Sequence, residues 1–273
     1  MKQVELHHGA TSDVGLVRAV NEDAYLAQAP VFVVADGMGG HDGGDVASRL
    51  VVEEFTRLAQ EGFDPTDGAT AVAATLRRAQ QRIRAFTEGQ RDAGATSFHA
   101  GTTAVAAVLV EDHGVPTWLL ANVGDSRAYR FADGALEQVS VDHSLVQELV
   151  EAGTITAEQA HDHPERHVVT RALGSRRDPE PDYFLLPVGS VERLVLCSDG
   201  ITDLVAEEQM ERVLSRTPDP RDAADRMVAA ALAAGGRDNA TVVVIDVVGI
   251  GSGNPYDADR QRLSMERKLG VLP

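Results

Sequence analysis

The sequence predicts an α+β fold in which antiparallel sheets pack together beneath a cover of helices. Three observations carry this. Apolar runs of strand length recur along the chain, beginning with Val31-Phe-Val-Val-Ala35, β-branched at three of its first four positions. Two consecutive helical patterns separate the first strands from the next group, so strands and helices do not alternate one for one. A doubly wound parallel sheet needs a crossover between neighbouring strands and fits this order poorly. Finally, Asp133-Gly134 lies between Arg127-Ala-Tyr-Arg-Phe and Ala135-Leu-Glu-Gln-Val, a strong signal for an antiparallel hairpin.

In order, residues 1 to 30 read as two short strands joined through Thr11-Ser-Asp-Val-Gly15, with Arg18 to Asp23 just ahead of the central strand. From Asp45 to Gln60 the residues Ala47, Val51, Phe55 and Leu58 fall on one helical face. Gly62 to Asp67 breaks the chain. Ala69, Val72, Leu76, Ala79, Ile83 and Phe86 then recur at alternating three- and four-residue steps, which predicts a second amphipathic helix. Gly101 to Val110 is a strand that pairs with the Trp118 strand across a turn at His113-Gly114. Ser144 with Gln147, and Thr156 with Gln159, have capping-box spacing and predict two short helices separated by Gly153. This insertion, about 144 to 168, reads as a surface flap, where binding specificity tends to reside. Arg193 to Cys197 is another strand, and Glu207 to Ser215 a short helix. Asp219-Pro220 starts a further helix that Gly235-Gly236 stops, before a last strand from Ala240. Residues 1–248 are expected to form one domain, and 249–273, opening on Gly-Ser-Gly-Asn-Pro, a polar tail or linker.

The totals set limits on function. A chain of 273 residues can bury a sizeable core. Its net charge of -17 argues against non-specific nucleic-acid binding, which needs basic surface to displace counterions. The single cysteine, Cys197, sits in an apolar run and reads as core packing. No stretch approaches 18 apolar residues and no apolar signal core opens the chain, so a cytoplasmic protein without a membrane segment is expected.

The chemistry lies in the carboxylates that end the apolar runs. Asp36-Gly37 follows the central strand, Asp125 closes Thr117-Trp-Leu-Leu-Ala-Asn-Val-Gly, and Asp199-Gly200 closes Arg193-Leu-Val-Leu-Cys-Ser. Asp238 stands immediately before Ala240-Thr-Val-Val-Val-Ile. Four carboxylates delivered at strand ends suggest a site for hard divalent cations at one edge of the sheets.

Several motifs occur in a characteristic order: Arg18-x-x-Asn21-Glu22-Asp23, Asp36-Gly37-Met38-Gly39-Gly40, Gly101-Thr102-Thr103 and Asn122-Val-Gly124-Asp125-Ser126-Arg127. Thr170-Arg-Ala-Leu-Gly174, Ser198-Asp199-Gly200 and Asp238-Asn239 complete the set. Together they resemble the metal-dependent serine/threonine protein phosphatases of the PPM (type 2C) family, in particular its bacterial members, from about Val4 to Val248. The resemblance implies a β-sandwich of two antiparallel sheets flanked by helix pairs, in α-β-β-α layers. It implies two Mn²⁺ or Mg²⁺ ions bridged by Asp36, one also held by Glu22 and the Gly37 carbonyl, the other by Asp199 and Asp238. Asp23 would orient water in the site, with Asn239 supporting it from behind. Arg18 would fork onto two phosphate oxygens, a geometry guanidinium matches well. Water held between the two ions would be hydroxide near neutral pH and attack phosphorus in line, without a phospho-enzyme.

Asp125 resembles the residue that helps bind a third, weaker ion with Asp199; the alternative is a plain turn carboxylate. Many eukaryotic members carry histidine where Met38 stands here, and a thioether cannot protonate the leaving alkoxide. Water in the site is the favoured acid, with His41 the nearest side-chain candidate. The resemblance further implies a monomer acting on phosphorylated proteins, such as serine/threonine kinases or regulators. Two rivals remain: a regulator of the same fold that binds phosphoproteins without turnover, and a two-metal phosphodiesterase. His161-x-His163 with His167 could bind zinc by spacing, but no cysteine completes the set and a solvated flap is the simpler reading. Asp142-His143-Ser144 holds triad residue types, yet sequence neighbours rarely adopt triad geometry. Gly37 to Gly44 lacks nucleotide-binding fingerprints.

Overall fold

The computed structural model describes residues 3–39 and 43–251; His41 and most of the 249–273 tail lie outside the described residues. Two five-stranded sheets form its centre. One sheet is built from β1 (Gln3–Asp13), β8 (Arg127–Ala132), β9 (Ala135–Gln138), β11 (Arg193–Cys197) and β12 (Ala240–Gly251), in the order β1-β12-β11-β8-β9. The other holds β2 (Ala24–Gln28), β3 (Val31–Ala35), β6 (Ala104–Asp112), β7 (Val115–Val123) and β10 (Asp182–Pro187), in the order β10-β7-β6-β3-β2. Every pairing is antiparallel.

Because strand side chains alternate between faces, each sheet feeds two cores. Phe32, Val34, Trp118 and Leu120 of the second sheet meet Leu194, Leu196, Val243 and Ile245 of the first in a buried layer between them. On the outer face of the second sheet, Val31, Val33, Ala106 and Val108 pack beneath two long helices, α1 (Gly44–Glu61) and α2 (Gly68–Asp92). The predicted stripe of α1 is buried along its length, and that of α2 from Val72 to Ile83, whereas Ala69 stays exposed at the helix start. Val195, Cys197, Val242 and Val244 face the other way, against Met210, Met227 and Ala231 of α6 (Glu207–Arg216) and α7 (Pro220–Ala233). Four layers result, helix-sheet-sheet-helix, as the resemblance implied.

The flap carries α3 (Leu145–Glu151) and α4 (Ala157–His161). Thr156 and Gln159 form the full reciprocal capping box, but at Ser144 only half forms, because the Gln147 side chain turns to Glu151 instead. Among the strands of the two large sheets and the α-helices, two elements lie outside the sequence expectation. The strand β10 alternates half-buried and exposed residues and ends in Pro187, a pattern of an edge strand that periodicity alone reads as loop. The single turn α5 (Asp199–Thr202) is too short to show a helical period. β1 also runs unbroken to Asp13, through residues expected to turn, since β12 pairs with it along its whole length. No helix among the described residues is long and apolar enough to cross a membrane.

Candidate metal centre

A two-residue ladder between β4 (Gly37–Met38) and β5 (Gly101–Thr102) fixes the segment after the central strand. The Asp36 carbonyl accepts from the Thr103 N–H at 2.9 Å and from the Thr102 hydroxyl at 2.8 Å, while its own N–H donates to Thr103 Oγ1 at 3.0 Å. The backbone of Asp36 is thereby held on both sides, and its carboxylate is free to face the cavity. At Gly37 any Cβ would stand 2.3 Å from the Gly44 carbonyl oxygen and 2.5 Å from that of Glu22, so only glycine lets the chain pass. The Gly37 N–H bonds that same Glu22 carbonyl, at 3.2 Å.

Asn239 organises the opposite wall. Its side-chain oxygen accepts from the Glu22 N–H at 2.8 Å, and its amide donates to the carbonyls of Val14 and Val20, each at 3.0 Å. One side chain thus ties the β1–β2 loop, which bears Arg18, Glu22 and Asp23, to the turn that bears Asp238. Ser198 donates its hydroxyl to Asp23 Oδ2 at 2.8 Å and accepts the Thr241 N–H at 3.0 Å. Asp199 heads α5 directly after Ser198.

Arg18, Glu22, Asp36, Gly37, Asp125, Asp199, Asp238 and Asn239 all line one cavity of about 590 Å³. Arg18, Asn239 and all the expected metal ligands therefore meet there; Asp23 is not in the lining but is bonded to Ser198 beside it, and His41 falls outside the described residues. Arg18 is not free, however: its Nη2 donates to Asp238 at 2.7 Å.

Confining so many carboxylates costs free energy, and their proton affinities record it. Enclosure by protein, followed by repulsion from Asp23, Asp199 and Asp125, pushes Asp36 well above the ordinary carboxylate range. Burial, with repulsion from Asp199 and Asp142, raises Asp125 to about 8. Asp23 rises to about 7, again chiefly by burial, against the hydrogen bonds from Thr241 and Ser198. For Asp199 burial and then Asp203 raise the value to about 6. Glu22 is raised by burial, an effect the Arg18 charge opposes. Asp23 Oδ1 is also buried with no hydrogen-bond partner among the described residues. Converging anionic oxygens, an orphaned carboxylate oxygen and no thiolate are the donor set of hard divalent cations.

Two further residues, His167 and Asp203, belong to the site by position. His167, Asp199 and Asp203 have ligand atoms all within 4.8 Å of one another, and His167 Nδ1 lies 3.3 Å from Asp203. The sequence grouped His167 with His161 and His163; the fold pairs it with Asp203 from a distant segment, a juxtaposition no spacing reveals. Ser198 and Thr103 belong to the Ser198-Asp199-Gly200 and Gly101-Thr102-Thr103 motifs, but their roles as supports appear only in three dimensions. The adjacent Asp142, His143 and Ser144 form no triad: Asp142 pairs with Arg127, His143 accepts the Gly124 N–H, and Ser144 caps α3.

A family model described as Protein phosphatase 2C matches residues 17–234. The serine/threonine protein phosphatase PstP of Mycobacterium tuberculosis is 39% identical over 246 residues, covering 89% of this chain but only 45% of that protein. The serine/threonine phosphatase stp of Listeria monocytogenes is 35% identical over 253 residues, covering 88% of this chain and 96% of its own length. Among solved structures, the catalytic domain of PstP in complex with 2 manganese ions superposes with a TM-score of 0.76 at 37% identity, covering 90% of this chain and all of that one. The family match over residues 17–234 and the 35% identity across nearly the whole Listeria phosphatase show that the chain belongs to the protein phosphatase 2C family.

Proposed function

We propose that this chain is a metal-dependent phosphatase that hydrolyses phosphoserine and phosphothreonine monoesters in proteins, opposing serine/threonine kinases. The observation that carries the reading is the convergence of Glu22, Asp36, Asp125, Asp199 and Asp238 on one cavity with Arg18 at hand. Glu22 and the Gly37 carbonyl would hold one divalent ion, Asp199 and Asp238 a second, and Asp36 both. Asp125 with Asp199 would serve a third. Bound Mn²⁺ or Mg²⁺ supplies an acidified water and positive charge for the phosphoryl oxygens.

The remaining work falls to the chain. Arg18 fixes the phosphate, and Asp238 holds the guanidinium in place through the 2.7 Å bond. Asp23, steadied by Ser198, orients water through its unpartnered oxygen. Asn239 keeps both walls at a fixed separation. Met38, beside Gly37, has no proton to give, so the leaving alkoxide takes its proton from water in the cavity. The substrates are phosphorylated proteins, kinases or regulators among them, and the chain works as a cytoplasmic monomer.

The test is turnover by the purified chain with Mn²⁺ on phosphothreonine peptides, an aryl monoester and an aryl diester. Monoester hydrolysis that a chelator abolishes is expected. No monoester turnover, or a preference for the diester, overturns the proposal.

A further inference from the structure

The loop that carries Arg18 also presents three apolar side chains to solvent. Leu16 and Val17 are each 69% exposed and Val20 54%. Exposed aliphatics are ordinary on loose loops, but this loop is fixed. Asn239 holds the carbonyls at both of its ends, Val14 and Val20, at 3.0 Å. Leu16 donates its N–H to the Gly236 carbonyl at 2.7 Å. Gly15 turns with φ +79° so tightly against the Asp238 carbonyl that a Cβ there would lie 2.3 Å from it. Arg18 completes the attachment through its bond to Asp238.

The loop is therefore docked onto the 236–239 segment that borders the metal centre, and three of its side chains remain unsatisfied by any core. Fixed backbone with outward apolar groups is a preorganised contact surface, because little ordering is left to oppose binding. Its position selects the occupant. It flanks the arginine that reads phosphate, and consecutive residues of an extended chain advance only about 3.3 Å. Val17 directly precedes Arg18, which lines the cavity, so this loop borders the path of a polypeptide whose phosphoresidue Arg18 engages.

We propose that Leu16, Val17 and Val20 form a subsite for an apolar residue flanking the phosphorylated serine or threonine of a polypeptide substrate. The inference rests on the phosphatase reading above. It places part of the sequence preference on the phosphate-binding loop and not on the flap alone. Apolar contact of this kind acts through substrate binding and leaves the chemistry at phosphorus alone.

The experiment uses the whole chain with Mn²⁺ and two phosphothreonine peptides that differ only in flanking residues, leucine and valine in one, serine and glutamine in the other. Wild type should favour the apolar peptide through KM. Val17→Ser with Val20→Ser should lower that preference about tenfold, with turnover of an aryl phosphate close to wild type. Val17→Ile with Val20→Ile should keep the preference, which separates lost contact from a damaged loop. Equal use of both peptides by wild type, with brisk aryl phosphate hydrolysis, sinks the subsite and leaves the phosphatase reading intact. No hydrolysis of any monoester sinks that reading itself. Sedimentation of the serine variant adds a further arm: a dimer turned monomer with peptide preference unchanged assigns the patch to a second copy of the chain and overturns the proposal.

Discussion

Arg18 and Asp238 are bonded to one another at 2.7 Å across 220 positions of sequence, the arginine proposed to read phosphate held by an expected metal ligand. The pair is about half exposed, so its worth is not stability. It is aim: the carboxylate fixes where the guanidinium points.

Coupling between the two follows. Arg18→Ala is expected to raise the KM for a phosphopeptide by about ten- to a hundredfold, the scale of a lost charge-assisted hydrogen bond. Asp238→Asn should raise KM as well as weaken Mn²⁺ binding, and the two effects on KM should be less than additive in the double variant. Steady-state kinetics at saturating Mn²⁺ decide it; full additivity would mean the contact does not orient the arginine.

Asp36→Asn and Asp199→Asn are each expected to lower kcat by at least about a thousandfold, on the scale of losing a principal electrostatic group. The metal-free proteins should melt no lower than wild type, because each change relieves repulsion in a crowded acidic floor. Calorimetry beside activity assays separates this from simple unfolding. Normal turnover in either variant would contradict the ligand assignment.

Ser198→Ala removes one of two hydroxyl donors to Asp23, Thr241 being the other, while leaving every expected ligand in place. A loss of about ten- to a hundredfold in Mn²⁺ affinity or activity is expected, the usual effect of disturbing a group that stands behind the ligands. Titration calorimetry with Mn²⁺ measures it, and unchanged affinity would show Asp23 to be held by other means.

Stability of the metal-free protein should depend on pH in a defined direction. Asp199, Asp23 and Asp125 have folded values raised to about 6, 7 and 8, above the unfolded value of 3.8. A raised group binds more protons when folded, so its contribution is full below the unfolded value and is lost as pH rises through the folded one. The melting temperature with chelator should therefore fall from about pH 4 to about pH 8, the span between the unfolded value and the highest folded one. The shift produced by Mn²⁺ should grow over the same range, since protons and metal compete for the same oxygens. Thermal scans show whether the metal-induced shift is instead flat.

Much of this was legible in the sequence because it was local. The apolar runs at Val31, Arg193 and Ala240 announce central strands, and the α1 stripe of Ala47, Val51, Phe55 and Leu58 is buried as its spacing requires. Asp36, Asp199 and Asp238 were marked by lying at strand ends. What escaped was set by tertiary contact. β10 is a strand only because β7 offers an edge, and His167 meets Asp203 only once the flap folds back. The Arg18–Asp238 bond depends on Asn239 tying two loops together, and no motif spacing encodes it.

If these carboxylates cage divalent ions, diffraction will reveal the ions themselves. Crystals of the chain soaked in Mn²⁺ and measured for anomalous scattering should show two strong peaks in the cavity, with Asp36 between them, Glu22 and the Gly37 carbonyl on one, and Asp199 and Asp238 on the other. Peaks elsewhere, or none in that cavity while the same preparation hydrolyses phosphopeptides, would contradict that caging.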